Sequence, residues 1–515
     1  MSPTIQACAI SAGQPGPGIP AGATLHPLTA GARLTFRERI TLCQIAAQTW
    51  MFFAADVNPR TDLPLDNIGF NGAPAQGTYT SPTDIAMELW STVAAANLHL
   101  VSYAVAEQMA RRQLAAISRL ERWDGFLLSW YDTTTGRPIT GPGGAPLTNL
   151  KGQFISTVDN GWYASALIVD RQAFPSLYRQ ATSLLDAMQF HIFYDNGNQA
   201  TNITAGQMYG GYYIGQGPAG FEYGNLNTDP RIAAYVGMGL GQLPGDVWWR
   251  TWRTLPASFT WQTQVPVGPT VTYTDPYSHT SFRVVEGHYS YHGITYVPSW
   301  GGSAFEALMA PLVVPETSWG KHGFGLNDVN YAEASIAYAR QGLGYPVWGL
   351  SPASVPGTSG GYQAYGAIPL SSNAGCCPYS QAAVAPYASF VALPVAPQQA
   401  LRNIERLARE YPALVGPYGL YDSVNPRTGV VAPRYLALDE GMILAGIDDA
   451  LAGGGLQRYF AADAVGQHVR PYLEMERFSI SPAPGVELSA GSHSWPSPEV
   501  RPAASQPGPG SGGAT

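Results

Sequence analysis

Residues Ser81–Asn97, SPTDIAMELWSTVAAAN, read as a helix from their first position. Ser81 can accept from the exposed amides of a first turn, Pro82 suits the first helical position, and Asp84 sits where the helix dipole favours an acid. Upstream, an earlier helix is expected over about 34–55, with Phe36, Ile40, Cys43, Ala47 and Trp50 three or four residues apart on one face. Downstream, helical patterns cover about 100–121, 162–169, 173–190, 230–239, 245–253, 303–310, 328–342, 381–391, 397–411 and 435–452. Strand-like alternation is confined to short pieces, chiefly Val265 to Val297, which read as a small β-containing insertion. Helices joined by long Trp-, Tyr- and Gly-rich loops, without a βαβ rhythm, predict one large all-α domain over 34–480. Paired helices closing into a toroid would gather many loops at one end, where binding and catalysis tend to sit.

The flanks read differently. Residues 1–33 are expected to form an extended leader, with Gly13, Pro15, Gly16, Pro17, Gly18 and Pro20 close together and no charged segment leading into an apolar one. No export signal is visible there. Residues 481–515, rich in Pro, Ser, Gly and Ala, are expected to be a disordered tail.

Composition narrows the ligand. The 515 residues are 45% hydrophobic and 12% charged, with 13 Trp, 29 Tyr and a net charge of −8. A chain this apolar can bury enough surface to offset its ordering entropy. Its apolar runs, such as Trp50 to Ala55, fall short of the ~20 residues of a membrane span. Nucleic acid is disfavoured as a partner because the only lysines are Lys151 and Lys321 and no basic stripe could follow phosphates. A neutral ligand is expected. The four cysteines, Cys8, Cys43, Cys376 and Cys377, match neither a disulfide framework nor a zinc site. The adjacent pair reads as packing or loop chemistry rather than redox, since neighbouring cysteines seldom bridge without strain.

Two familiar patterns are coincidental. Gly215, Gly217 and Gly220 fit the dinucleotide fingerprint, but Pro218 interrupts it and no helix opens after it. Gly357, Ser359 and Gly361 fit the nucleophile elbow, but lie in a Pro/Ser/Gly loop. Glu286, His288 and His292 read as loop residues rather than metal ligands, and Asp56, Asn58, Asp62 and Asp66 depart from the calcium-loop spacing. No metal or other cofactor is expected.

The informative loops set carboxylates beside aromatics and glycines: Trp130-Tyr131-Asp132, Asp159-Asn160-Gly161-Trp162, Asp229-Pro230-Arg231, Trp300 to Glu306, and Asp439-Glu440-Gly441. Aromatic faces stack on sugar rings while carboxylates and amides bind hydroxyls, so these loops suit a neutral carbohydrate. Cleaving it needs one protonated carboxyl and one ionised carboxylate. Asp229 and Asp159 read equally well as helix caps, and Glu306 as a buried partner of an arginine.

Taken together, seven segments resemble the glycoamylase-like family, which includes bacterial endo-β-1,2-glucanases. They are Thr80–Ile85, Leu128–Asp132, Phe154–Gly161, Leu226–Arg231, Trp300–Glu306, Tyr418–Asp422 and Leu436–Gly441, in the family's order over about 62–475. The resemblance implies an (α/α)6 toroid with a sugar cleft lined by its loops, and metal-free hydrolysis of a glucan, in general by inversion. By position it implies Asp229 as general acid, where a Glu is usual, with Glu222 nearby as the fallback. It implies Asp439 as first choice for the water-activating carboxylate and Asp159 as second. Trp130, Asp132, Asn160, Trp300 and Glu306 would bind sugar, with Glu316 and Trp319 completing the cleft or holding its loop.

The expected protein is thus a glycoside hydrolase, endo-acting on a neutral polysaccharide such as β-1,2-glucan. The alternatives are a transglycosylase on the same fold, a hydrolase of another polysaccharide such as arabinan, and a catalytically silent carbohydrate-binding protein. An extracellular or periplasmic location is expected, with a cytoplasmic one left open. The sequence specifies no oligomeric state.

Overall fold

The computed structural model describes residues 2–11, 34–73 and 77–486. It is helix-rich, 44% helical. In chain order the helices are α1 (Pro3–Ser11), α2 (Phe36–Asp56), α3 (Pro82–Asn97), α4 (Tyr103–Arg119), α5 (Thr157–Ala173), α6 (Tyr178–Asp186), α7 (Arg231–Gly239) and α8 (Asp246–Arg250). They continue with α9 (Ala304–Leu308), α10 (Glu316–Trp319), α11 (Phe324–Ala337), α12 (Tyr387–Val391), α13 (Pro397–Glu410), α14 (Ala437–Ala452), α15 (Gly455–Ala462) and α16 (Ala464–Met475).

The caps written into the sequence form. The Ser81 hydroxyl accepts from the Asp84 amide at the start of α3, and the Asp84 carboxylate accepts from the Ser81 amide in return. Thr35 and Glu38 make the same reciprocal cap on α2.

Six helices form a closed circuit. α3 packs on α5, α5 on α7, α9 on α12, α12 on α14, and α14 back on α3. The Arg231 guanidinium at the start of α7 donates to the backbone carbonyls of Glu306 and Ala307 in α9, which links that pair. Every residue of α3 is buried, as expected of a helix surrounded on all sides. Among the outer helices α4 and α13 are buried on one face, whereas α11 is buried along most of its length. α13 hides Ala400, Leu401, Asn403, Ile404 and Leu407 against α12 and turns its Arg and Glu residues to solvent. Likewise α4 packs on α3, α6 on α5, α16 on α7, α11 on α9 and α2 on α14.

The insertion is two antiparallel hairpins, Thr270–Thr274 with Ser281–Val285 and Tyr289–Tyr291 with Ile294–Tyr296. Buried Arg253 anchors it, lying between Glu286 and Glu476.

The flanks need correction. Residues 3–11 are helical rather than extended, and a disulfide from Cys8 to Cys43 ties α1 to α2. The remainder of the leader, residues 12–33, lies outside the described residues, as does the tail from 487. At the other end the fold runs past 480: Asn330 donates to the Ser481 carbonyl, and Ala483 is buried. Cys376 and Cys377 are also joined to each other, an oxidation state the sequence leaves open. Among the described residues, no helix is long and apolar enough to cross a membrane.

Candidate active site

The N-terminal ends of the inner helices carry the acids. Asp84 caps α3, Asp159 is the third residue of α5, Asp229 lies two residues before α7, Glu306 caps α9, and Asp439 and Glu440 open α14. Helix starts favour acids because their unpaired amides present partial positive charge. Burial raises Asp229, Asp84 and Asp439 first, and the carboxyls also lie within one another's fields: Glu306 and Asp159 raise Asp229 further, Asp66 and Asp159 raise Asp84, and Asp422, Glu440 and Asp66 raise Asp439.

A cavity of about 740 Å³ opens beside Asp229. Glu222, Asp229 and Glu306 line it together with Tyr223, Trp252, Trp261, Trp300 and Tyr379, and among the described residues no Lys or Arg does. The Trp261 and Trp300 rings meet edge to face at 6.0 Å, giving the wall two differently oriented aromatic faces. Tyr379 lies so close over Gly301 that a side chain there would come within 2.0 Å of its ring. A side chain at 301 would therefore displace the Tyr379 ring from the wall.

Asp229 is partly exposed, and burial together with the Glu306 carboxylate pushes its pKa up to about 8. It is not a helix cap, since α7 has no side-chain cap. Its position is set from behind by Arg231, whose Nε and Nη2 pair with both Glu316 oxygens at 2.9 and 3.0 Å while Nη1 donates to the Thr228 carbonyl. The Tyr235 hydroxyl donates to Glu316 at 2.7 Å. Glu316 thus holds the scaffold and does not line the cavity. Glu306 accepts from the Ser299 hydroxyl and the amides of Gly301 and Ser303, and burial still raises it.

Of the residues singled out from the sequence, Asp229, Glu222, Trp300 and Glu306 share this cavity. Asp159 does not line it, but its charge acts on Asp229 and Tyr223. It accepts from the Thr83 hydroxyl at 2.7 Å, and burial is the larger influence, raising it. Asp439 is 2% exposed and neither of its oxygens accepts an N–H or O–H; burial and the neighbouring acids hold it well above the usual carboxylate range. Tyr362, on the cavity wall, faces Asp439, Asp422 and Asp229 together.

Three others lie outside this cavity. Asn160 is fully buried and spends its amide on Leu127 and Ser156. Asp132 accepts from the Thr135 amide and hydroxyl in a turn, and Trp130 packs edge-on against Tyr79. The wall residues not singled out from the sequence include Tyr223, Trp252, Trp261, Tyr362 and Tyr379. No group of three His, Cys, Asp or Glu that could hold a metal occurs among the described residues.

Comparison with known proteins bears on the family and the fold. Residues 266–464 match the Glycoamylase family model, described as "Putative glucoamylase", and residues 44–214 match DUF3131, a family of unknown function. A 181-residue stretch is 35% identical to the cyclic β-(1,2)-glucan synthase NdvB of Rhizobium meliloti (strain 1021); it covers 32% of this chain and 6% of that protein's length. The endo-β-1,2-glucanase of Chitinophaga pinensis, solved with sophorotriose and glucose, superposes with a TM-score of 0.62 at 14% identity, over 85% of this chain and 98% of that one. The β-1,2-glucanase of Parabacteroides distasonis gives 0.63 at 14% identity, over 86% of this chain and 61% of that one. The endo-β-1,2-glucanase of Talaromyces funiculosus with sophorose gives 0.61 at 14% identity, over 85% and 90%. The chain resembles the glucoamylase-like family, and it shares its fold with endo-β-1,2-glucanases.

Proposed function

We propose that the six inner helices and their outer partners form an (α/α)6 toroid, and that the protein is a glycoside hydrolase acting on a neutral β-glucan, with β-1,2-glucan the first substrate. The observation that carries this reading is Asp229, a partly exposed carboxyl with a pKa of about 8 in the wall of a cavity lined by acids and aromatics. Such a carboxyl is protonated at neutral pH and suited to donate to a departing glycosidic oxygen. Its shorter reach, compared with the usual Glu, is offset by the rigid Arg231–Glu316 brace behind it.

The second carboxylate must be ionised to draw a proton from water. Asp159 fits that role better than Asp439. The Thr83 hydroxyl and the start of α5 favour its charge, whereas Asp439 is sealed among other acids. The proton on Asp229 passes to the leaving oxygen as the C–O bond breaks. Water adds to the opposite face of the sugar, losing its proton to Asp159, so the anomeric configuration inverts. Trp261, Trp300 and Tyr379 offer faces for sugar rings, and Glu222 and Glu306 acceptors for hydroxyls. A polysaccharide substrate and two disulfides both fit an extracellular or periplasmic location.

Incubation with a panel of linkage-defined glucans and arabinan tests the reading. Release of short β-1,2-linked oligosaccharides with new reducing ends is expected, and no release from any of them rules out hydrolysis. The similarity to a cyclic glucan synthase favours one second reading, transfer of the glycosyl group to another sugar. Products longer than the substrate at a constant number of reducing ends would establish transfer instead.

A further inference from the structure

A second cavity of about 640 Å³ adjoins the first. Trp252 and Leu255 line both, so the two spaces meet across these side chains. The second is built from the strand Ser281–Val285, the loop around Asn202 and the segment from Trp249 to Ala257. Its wall therefore belongs in part to the β-insertion, the segment that the seven family-like motifs leave out.

The two cavities have opposite electrostatic character. The first carries Glu222, Asp229 and Glu306 and no Lys or Arg; the second carries Arg250 and Arg283 and no Asp or Glu among the described residues. In a chain of net charge −8 with 27 basic residues, an arginine in the groove with no ion pair of its own among the described residues, Arg283, marks a place for negative charge. Arg250 lies over the Phe282 ring at 5.2 Å and pairs with Asp246 at 3.1 Å, so its guanidinium is held in place. Arg283 is exposed on the hairpin and free to turn toward a ligand. Trp252, Phe282 and the exposed Ile203 and Val285 add apolar surface for a sugar face.

We propose that this groove is a distal glycan subsite: it holds the part of the chain that leaves the catalytic cavity over Trp252, and Arg283 binds an anionic substituent, a phosphate ester or a carboxylate, on that part. The proposal rests on the glucan reading of the first cavity. Arginine suits either anion because its fork of N–H donors matches paired oxygens. The selected substrate is then a long β-glucan that is neutral at the bond cleaved and charged some residues away.

Binding isotherms at low salt test this with the full-length Asp229→Asn protein, using β-1,2-gluco-oligosaccharides of one length, unmodified and carrying succinyl half-esters or phosphate esters. The substituted chains should bind about tenfold tighter, the size of one or two charge-assisted hydrogen bonds at an exposed site. Adding Arg283→Gln should remove most of that difference while leaving affinity for the unmodified chain and the melting temperature unchanged. Equal affinity for both chains, or a preference that survives Arg283→Gln, overturns the subsite. Turnover of the unmodified chain by the wild type is scored separately: its absence rejects the hydrolase reading, while the charge preference still decides the groove. Failure of both chains to bind rejects both.

Discussion

The two ends of the inner helices carry the same residue type in opposite circumstances. On α5, Asp159 stands at the start and Asp170 near the end; on α14, Asp439 opens the helix and Asp448 and Asp449 stand near its close. Asp159 is partly exposed and accepts from Thr83, whereas Asp170 is fully buried with neither oxygen bonded. Asp448 receives the Asn97 amide at 2.9 Å, and Asn97 in turn accepts from Tyr459. Acids near a helix C-terminus oppose the dipole that favours them at the N-terminus. Yet burial raises the pKa at both ends, to about 8 for Asp448 as for Asp229. A raised carboxyl does not by itself mark chemistry. The two ends differ in access: the N-terminal end adjoins a cavity with aromatic walls.

The sharpest way to separate the ends is to remove one carboxyl charge from each. Asp229→Asn should lower kcat on β-1,2-glucan about 10²–10⁴-fold, the usual worth of a general acid, with the melting curve unmoved. Asp448→Asn should leave kcat within about twofold, because the proposed chemistry sits at the opposite helix ends.

Stability should respond in the reverse sense. Arg231→Met leaves Glu316 buried without its partner and should cost about 3–5 kcal/mol in denaturant unfolding. An unchanged unfolding midpoint would remove Arg231 from the brace behind Asp229.

Asp448 gives the C-terminal end a pH signature. Its carboxyl keeps a proton up to about pH 8 when folded but only to about 4 when unfolded. The folded state thus holds the extra proton between those values; this stability is full below pH ~4 and is lost as pH rises through about 8. Melting temperatures of Asp448→Asn across that window should decline less steeply than those of the wild type, by a few degrees in total. Parallel curves would place the burden of pH on other groups.

The smallest expected effect is on the aromatic wall. Trp261→Ala should raise KM several-fold with kcat little changed, in line with about 0.5–1.5 kcal/mol for one ring contact. A drop in kcat alone would mean that the ring positions the acid and not the sugar.

The helices were legible where the signal is local. Ser81, Pro82 and Asp84 announce α3 within four residues, and the alternation in Val265–Val297 becomes two hairpins. Helices α15 and α16 were not marked out, because α14 ends at Gly453 and Gly454, both left-handed, and Pro471 interrupts the pattern of α16. Asp229, Glu222, Trp300 and Glu306 were legible because each stands in a short loop with its aromatic or glycine neighbours. Trp252, Trp261, Tyr362 and Tyr379 were not, since they reach the same cavity from segments more than a hundred residues apart at the extremes. Asn160 shows the converse: beside Asp159 it looks like a ligand for sugar, but the backbone of Leu127 takes its amide.

The pH dependence of kcat on β-1,2-glucan tests the central claim most directly, because it joins the electrostatics of the cavity to the chemistry. If Asp229 is the proton donor, kcat should fall as pH rises through about 8, and that fall should be absent from the residual activity of Asp229→Asn. A wild-type rate that stays level between pH 7 and 9, or a fall that persists in Asp229→Asn, would contradict it.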